Sequence, residues 1–76
     1  MKLSELKKGD TCKVVSINNT NPSLKRRMLD MGITKDVEIT IKKIAPFGDP
    51  IDIQLRGYEL CLRKIDLSNI EVIKLW

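Results

Sequence analysis

The residues that could do chemistry are few, and their spacing assembles no reaction. There is no histidine, so the commonest general base at neutral pH and the commonest transition-metal ligand are both missing. Cys12 and Cys61 stand far apart, with no Cys-x-x-Cys spacing. Both are expected to be reduced and packed as small apolar residues. Ser4, Ser16, Ser23 and Ser68 have no base or orienting group at a recognisable spacing. Gly9, Gly32, Gly48 and Gly57 are isolated turn glycines, so no phosphate-cradling loop is present. Asp49 and Asp52 are the nearest approach to a carboxylate cluster. Two carboxylates are few for calcium or magnesium, and they read as solvated turn acids. The expectation is a protein that is not an enzyme and has no cofactor and no metal site.

What remains is the chemistry of contact. Lys25-Arg26-Arg27 is a run of three cations, and Phe47 follows the turn proline Pro46. Arg and aromatic residues are the types that most often carry interface energy. The expected partner-binding residues are therefore Lys25, Arg26, Arg27 and Phe47. The plainer alternatives are a solvated helix face for the cations and, for Phe47, a ring folded back over one end of the protein. The net charge of +4, from 14 Lys and Arg against 10 Asp and Glu, permits an acidic partner or a nucleic acid and demands neither. Lys42-Lys43, Arg56 and Arg63-Lys64 would join a nucleic-acid surface. Only Tyr58 offers a stacking platform on a strand, however, and Glu38, Asp52 and Glu59 interleave with the bases.

The elements that must position these residues are mostly strands. The exception is the stretch Asn21 to Ile33. Asn21 is a helix cap, Pro22 suits the first helical position, and Gly32 suits the left-handed stop. Leu24, Met28 and Met31 fall at i, i+4 and i+7 and form one apolar stripe, widened by Leu29. Lys25, Arg26 and Arg27 near the start and Asp30 near the end both oppose the helix dipole. Arg26 and Asp30 are spaced as an i, i+4 pair in the less favourable order. A basic run that does not help its own helix is consistent with one kept for a partner.

Around the helix the hydrophobic period is two. Leu3 and Leu6 straddle a helical turn with Ser4 as its cap, and Lys7-Lys8-Gly9-Asp10 is a tight turn. Thr11 to Ile17 is a strand whose alternation breaks at Val14-Val15, which predicts a bulge or burial on both faces. Asn18-Asn19-Thr20 is a loop. Thr34-Lys35-Asp36 turns into Val37, Ile39 and Ile41, which alternate with Glu38, Thr40 and Lys42. After Ile44, the segment Ala45-Pro46-Phe47-Gly48-Asp49-Pro50 is a hairpin loop, with Pro46 second and Gly48 last in a type I turn. Ile51, Ile53 and Leu55 form the next strand. Arg56-Gly57 turns it into Tyr58, Leu60 and Leu62, with Gly57 in a backbone region other residues avoid. Arg63 is expected to pair with Asp30 or Glu59. Residues 65 to 69 form one helical turn. The last strand, Ile70 to Leu75, gives Ile70 and Val72 to one face and Ile73 and Leu75 to the other.

Seventy-six residues make one domain, spanning 1–76, and 42% hydrophobic content supplies one core. The aromatics are only Phe47, Tyr58 and Trp76, so that core is aliphatic. No apolar run approaches the roughly 18 residues of a membrane span and no signal-peptide pattern is present, which predicts a soluble, cytoplasmic protein. The predicted fold is mainly β: a small SH3-like barrel of about five strands with one α-helix inserted after the first. Closure of the barrel would remove sheet edges that so short a chain has little material to cover.

Three segments carry a resemblance. Leu24-Lys25-Arg26-Arg27-Met28-Leu29-Asp30-Met31-Gly32-Ile33, then Ala45-Pro46-Phe47-Gly48-Asp49-Pro50, then Arg56-Gly57-Tyr58-Glu59-Leu60-Cys61-Leu62-Arg63 resemble, in order and spacing, the signature segments of the ferrous iron transport protein A (FeoA) family. The likeness runs from about Leu3 to Val72. It implies an SH3-like barrel and a small cytoplasmic accessory of bacterial ferrous iron uptake. Its partner would be the ferrous iron transporter, protein B, through that protein's cytoplasmic GTP-binding domain. Membrane contact would be indirect, and weak self-association is compatible with the role. The family label of transition metal ion binding comes with the resemblance, although a chain without His or metal-spaced Cys is a poor iron ligand. Structural-motif positions implied by the likeness are Leu24, Met28, Asp30, Gly32, Pro46, Gly48, Asp49, Pro50, Gly57, Leu60, Leu62 and Arg63. The family usually has Ala where this chain has Cys61. Related domains end metal-dependent repressors, so a repressor-type interaction domain stands as an alternative beside a nucleic-acid-binding barrel.

Overall fold

The computed structural model describes residues 1–18 and 21–75. Of the loop expected at Asn18-Asn19-Thr20, the last two residues lie outside this range, as does Trp76. A 3-10 turn at Leu3–Glu5 leads into β1 (Thr11–Ile17), α1 (Pro22–Asp30), β2 (Glu38–Ile44), β3 (Ile51–Leu55), β4 (Tyr58–Leu62), α2 (Lys64–Leu67) and β5 (Ile70–Lys74). The strands form one antiparallel sheet in the order β4-β3-β2-β1-β5.

Each strand follows its alternation. Ile39 and Ile41 of β2, Ile51, Ile53 and Leu55 of β3, and Ile70 and Val72 of β5 point into one aliphatic core with Cys12 and Val14 of β1. The break at Val14-Val15 is a bulge: the β1–β5 register shifts between Val14 and Ser16, and Val15 is turned outward. Burial on both faces is thus excluded for β1. A second register shift lies between Ile41 and Lys43, which puts Lys42 and Lys43 both on the surface. Thr11 carries the one buried polar side chain among the described residues, and its hydroxyl lies 3.0 Å from that of Thr40. That pairing removes the cost of an unsatisfied buried group.

Helix α1 starts and stops where its sequence dictates. The Asn21 side chain accepts from the N–H groups of Ser23 and Leu24, a cap worth about 1 kcal/mol. At the other end Gly32 has φ +93°, its N–H donates to the Leu29 carbonyl, and that of Ile33 donates to the Met28 carbonyl. Both Met28 and Ile33 are buried, so the apolar contact that accompanies this C-terminal motif is present. Leu24 and Met31 pack against the core, but Leu29 remains 42% exposed and does not widen the stripe. The helix is only nine residues long, so Arg27 falls in its last turn, where a cation suits the dipole. The predicted opposition therefore holds for fewer of the three cations than the longer helix implied. The cap expected from Ser4 is absent. The first turn is closed instead by Glu5, whose carboxylate accepts from the Lys2 N–H at 3.2 Å.

The predicted closure of the sheet does not occur. β4 and β5 remain at the two ends of the strand order. The gap is filled by side chains: Leu67 of α2 and Leu3 and Leu6 around the 3-10 turn are buried, and α2 packs on that turn. After β4 the chain leaves the ladder for α2, so no strand is available to bridge the edges. Beyond β5, Lys2 bridges Glu71 and the Val72 N–H donates to the Met1 carbonyl at 2.8 Å. The Met1 amine forms an ion pair with Glu71 at 2.9 Å and holds that carboxyl below its usual range. The β5 edge is therefore partly covered and the β4 edge is not.

Candidate protein-contact site

The two hairpin loops at the ends of β3 have opposite fates. The loop after β3 is a two-residue turn with Arg56 at φ 49° and Gly57 at φ 84°, flanked by the pair Leu55 and Tyr58. Positive φ at both positions matches the twist of the flanking strands. This turn is bound to the end of α1. The Tyr58 hydroxyl donates to the Met31 carbonyl, and the Arg56 guanidinium donates to the Thr34 hydroxyl at 2.9 Å. A Cβ on Gly32 would stand 2.5 Å from the Tyr58 oxygen. Glycine is thus required twice at this position, by its backbone angle and by the phenol against it.

The loop before β3 runs the other way. The Gly48 N–H donates to the Ala45 carbonyl at 2.7 Å, closing the turn with Pro46 second and Gly48 last, as the sequence predicts. The Asp49–Pro50 peptide is cis, and the Ala45 N–H donates to the Pro50 carbonyl at 3.1 Å. The tip carries Phe47, whose ring is 98% exposed and packs on nothing. The Asp49 carboxylate accepts from the Lys64 N–H at 2.8 Å, which ties the loop to the start of α2. Next to Lys64 stands Ile65, 69% exposed. Phe47 and Ile65 therefore stand on two segments tied by one hydrogen bond, both side chains exposed, with Arg63 and Lys64 exposed beside Ile65 in sequence. Sequence reasoning missed Ile65. A single helical turn has too few positions to reveal a buried face, and here Leu67 takes the core.

Lys25, Arg26 and Arg27 lie exposed on α1. No ion pair joins Arg26 to Asp30, or Arg63 to either Asp30 or Glu59, among the described residues. Arg63 instead continues β4 in extended geometry and precedes α2. Leu60 and Leu62 are half-buried against the core, and Pro46, Asp49 and Pro50 are exposed. The end of α1 is anchored at the β3–β4 turn, whereas Phe47 projects from the loop at the opposite end of β3.

The thiols also separate. Cys12 is buried among aliphatic side chains, and that burial pushes its pKa up to about 11. Cys61 is free and exposed, which corrects the expectation that both are packed. Its outward position follows from β4 alternation, with Leu60 and Leu62 taking the core side. Cys61 lies opposite Asp52, and its thiol donates to that carboxylate, which raises its pKa. That pair supplies two donors, and no three His, Cys, Asp or Glu side chains gather to hold a metal among the described residues. The residues present do not fit a metal centre. The described residues also form no pocket, and none of their helices is long and apolar enough to cross a membrane. Tyr58, the one aromatic suited to base stacking, has its hydroxyl held by α1.

The chain matches the family model of the FeoA domain over residues 1–74. It is 35% identical over 72 residues to an Fe(2+) transport protein A/Fe(2+) transporter FeoB fusion protein of Porphyromonas gingivalis, a match covering 95% of this chain and 8% of that protein. The chain therefore spans a small fraction of that relative. The solution structure of a FeoA-like protein from Clostridium acetobutylicum superposes with a TM-score of 0.91 at 39% identity, covering all of this chain (100%) and 87% of that one. A zinc complex of FeoA from Stenotrophomonas maltophilia, described as a prokaryotic SH3 domain protein, superposes with a TM-score of 0.84 at 26% identity, covering 96% and 89%.

Proposed function

The chain belongs to the FeoA family, and from that premise we propose that it is a cytoplasmic accessory of ferrous iron uptake that works by direct contact with a FeoB-type transporter. The observation that carries this reading is the fusion protein of Porphyromonas gingivalis, in which the two activities named occupy one polypeptide. Linking two modules raises their effective concentration for each other, which is useful only where they meet. The chemistry of this chain agrees with contact rather than catalysis. Its outward features include the exposed Phe47, Ile65 and Ile73 and the exposed basic residues at 25–27, 42–43 and 63–64. The partner surface is on the GTP-binding domain of the transporter, where an apolar recess with an acidic rim would receive Phe47 and Ile65. Lys25, Arg26 and Arg27 add a second, electrostatic contact that raises the association rate more than the affinity.

The test is an amide NMR titration of the labelled chain with the full-length transporter from the same organism in nanodiscs, in GDP and in a non-hydrolysable GTP analogue. Line broadening centred on 45–50, 64–65 and 25–27 is expected. Spectra unchanged in both nucleotide states would overturn the reading. Broadening elsewhere would keep the partner and discard these residues.

A further inference from the structure

We infer that the free edge of β4 is a self-complementary docking strand for a second copy of this chain, centred on Cys61. Three observations lead there. First, β4 pairs only with β3, and no backbone hydrogen bond reaches its other edge from any described residue. Second, the register fixes which groups face that edge. In a two-residue hairpin the flanking pair, here Leu55 and Tyr58, exchanges hydrogen bonds, and such pairs then alternate along the ladder. Tyr58, Leu60 and Leu62 therefore bond inward to β3. Glu59, Cys61 and Arg63 turn their N–H and C=O groups outward. The Lys64 N–H, pointing back to Asp49 on the β3 side, continues the same alternation. The Arg63 carbonyl is taken by the N–H groups of Asp66 and Leu67, which leaves the Arg63 N–H and both groups of Glu59 and Cys61 on the edge.

Third, the side chains along this edge are complementary to themselves. An antiparallel pairing centred on Cys61 sets Cys61 against Cys61 of the second copy, Glu59 against its Arg63, and Leu60 against its Leu62. Every opposition is favourable. Glu59 and Arg63 are exposed and have no side-chain partner among the described residues, so each is available for the ion pair. Leu60 and Leu62 are only half-buried and would be covered on the inner face. The outward N–H and C=O groups of Glu59 and Cys61, with the Arg63 N–H, fall opposite one another as hydrogen-bonding partners. A shift of one residue either way would lose both the charge matching and the alignment of outward groups. Cross-strand pairs of this kind each add a few tenths to about 1 kcal/mol, and the contact is short, so the association is weak and concentration-dependent.

The experiment is sedimentation equilibrium under reducing conditions over a wide concentration range, together with cross-linking by a short bis-maleimide. Paired residues of a hydrogen-bonded antiparallel pair stand about 5.5 Å apart at Cα, within reach of that spacer. Cys12 is buried, so the native cross-link reports Cys61 alone. Reversible dimerisation is expected, with cross-linked dimer that disappears in Cys61→Ser. Glu59→Arg should weaken dimerisation about tenfold or more, since it replaces two symmetric attractions by repulsions. The double change Glu59→Arg with Arg63→Glu should restore it. A monomer at every concentration with no cross-link would overturn the inference. So would a dimer indifferent to Glu59→Arg. The amide spectrum of each variant establishes that it is folded before it is weighed.

Discussion

The two loops at the ends of β3 belong to the same hairpin series and to the same set of family-like segments, yet they answer to different constraints. The Arg56-Gly57 turn is held from outside its own strands, by Tyr58 on the Met31 carbonyl and Arg56 on Thr34. The Ala45–Pro50 loop is held at its base by the Ala45 and Asp49 hydrogen bonds, while its tip carries a ring that touches nothing. The residues of the two loops are therefore held in two different ways. Gly32, Gly57 and Tyr58 are framework. Phe47 is surface, and a large apolar side chain left 98% exposed has no role in stability that the fold requires.

The sharpest way to break this comparison is Gly32→Ala. The positive φ and the phenol oxygen at 2.5 Å together should cost about 2–3 kcal/mol in urea unfolding, with part recovered when Tyr58→Phe is added. Affinity of the surviving folded fraction for the transporter should stay unchanged. Phe47→Ser inverts the pattern: stability within about 0.5 kcal/mol of the parent, and about 2 kcal/mol lost in transporter affinity by titration calorimetry. If Phe47→Ser instead unfolded the domain, the division between the loops would collapse. Tyr58→Phe alone should cost about 1 kcal/mol, the worth of one hydrogen bond, again with binding retained. Replacing Lys25, Arg26 and Arg27 together by Glu should change stability by less than about 1 kcal/mol, because these side chains make no ion pair among the described residues. Its effect should be a slower association rate that loses its dependence on salt.

The smallest effects contrast the two thiols. In native protein Cys61 should react with a thiol reagent, and Cys12 only on unfolding. Burial raises the Cys12 pKa from 9.0 to about 11, so the neutral thiol is favoured in the folded state. The stability this contributes is complete below about pH 9, the unfolded value, and is lost as pH rises through the folded value near 11. Cys12→Ala should flatten that alkaline limb in urea titrations at increasing pH. Reaction of Cys12 in the native state at a rate close to that of Cys61 would contradict its burial.

Local patterns announced the elements because the forces behind them are local. Asn21, Pro22 and Gly32 satisfy or end the helix's own backbone, so its limits could be read to within a residue or two. The period of two in Val37 to Ile41, Ile51 to Leu55 and Tyr58 to Leu62 reflects side chains leaving opposite faces of a pleated strand. The same logic gave the bulge at Val14-Val15. Features that depend on what a residue meets across the chain were less legible. Leu29 has the spacing of a core residue and lacks a surface to cover. Cys61 has the chemistry of one and sits on the outer face. The segment of Ile65 is tied to the Phe47 loop by a hydrogen bond between Lys64 and Asp49, fifteen residues apart in sequence.

The sequence by itself determined a mainly β fold with a capped helix after the first strand and an aliphatic core. These follow from composition and from interactions a few residues long. Tertiary structure alone decided that the sheet stays open, that α2 and the first turn fill the gap, and that the phenol of Tyr58 locks Gly32. It also decided that the loop carrying Phe47 is tied to the start of α2, by the Lys64 N–H on the Asp49 carboxylate. Each of these is a pairing between distant segments. Whether two such segments meet depends on the twist and length of everything between them, which no local spacing encodes.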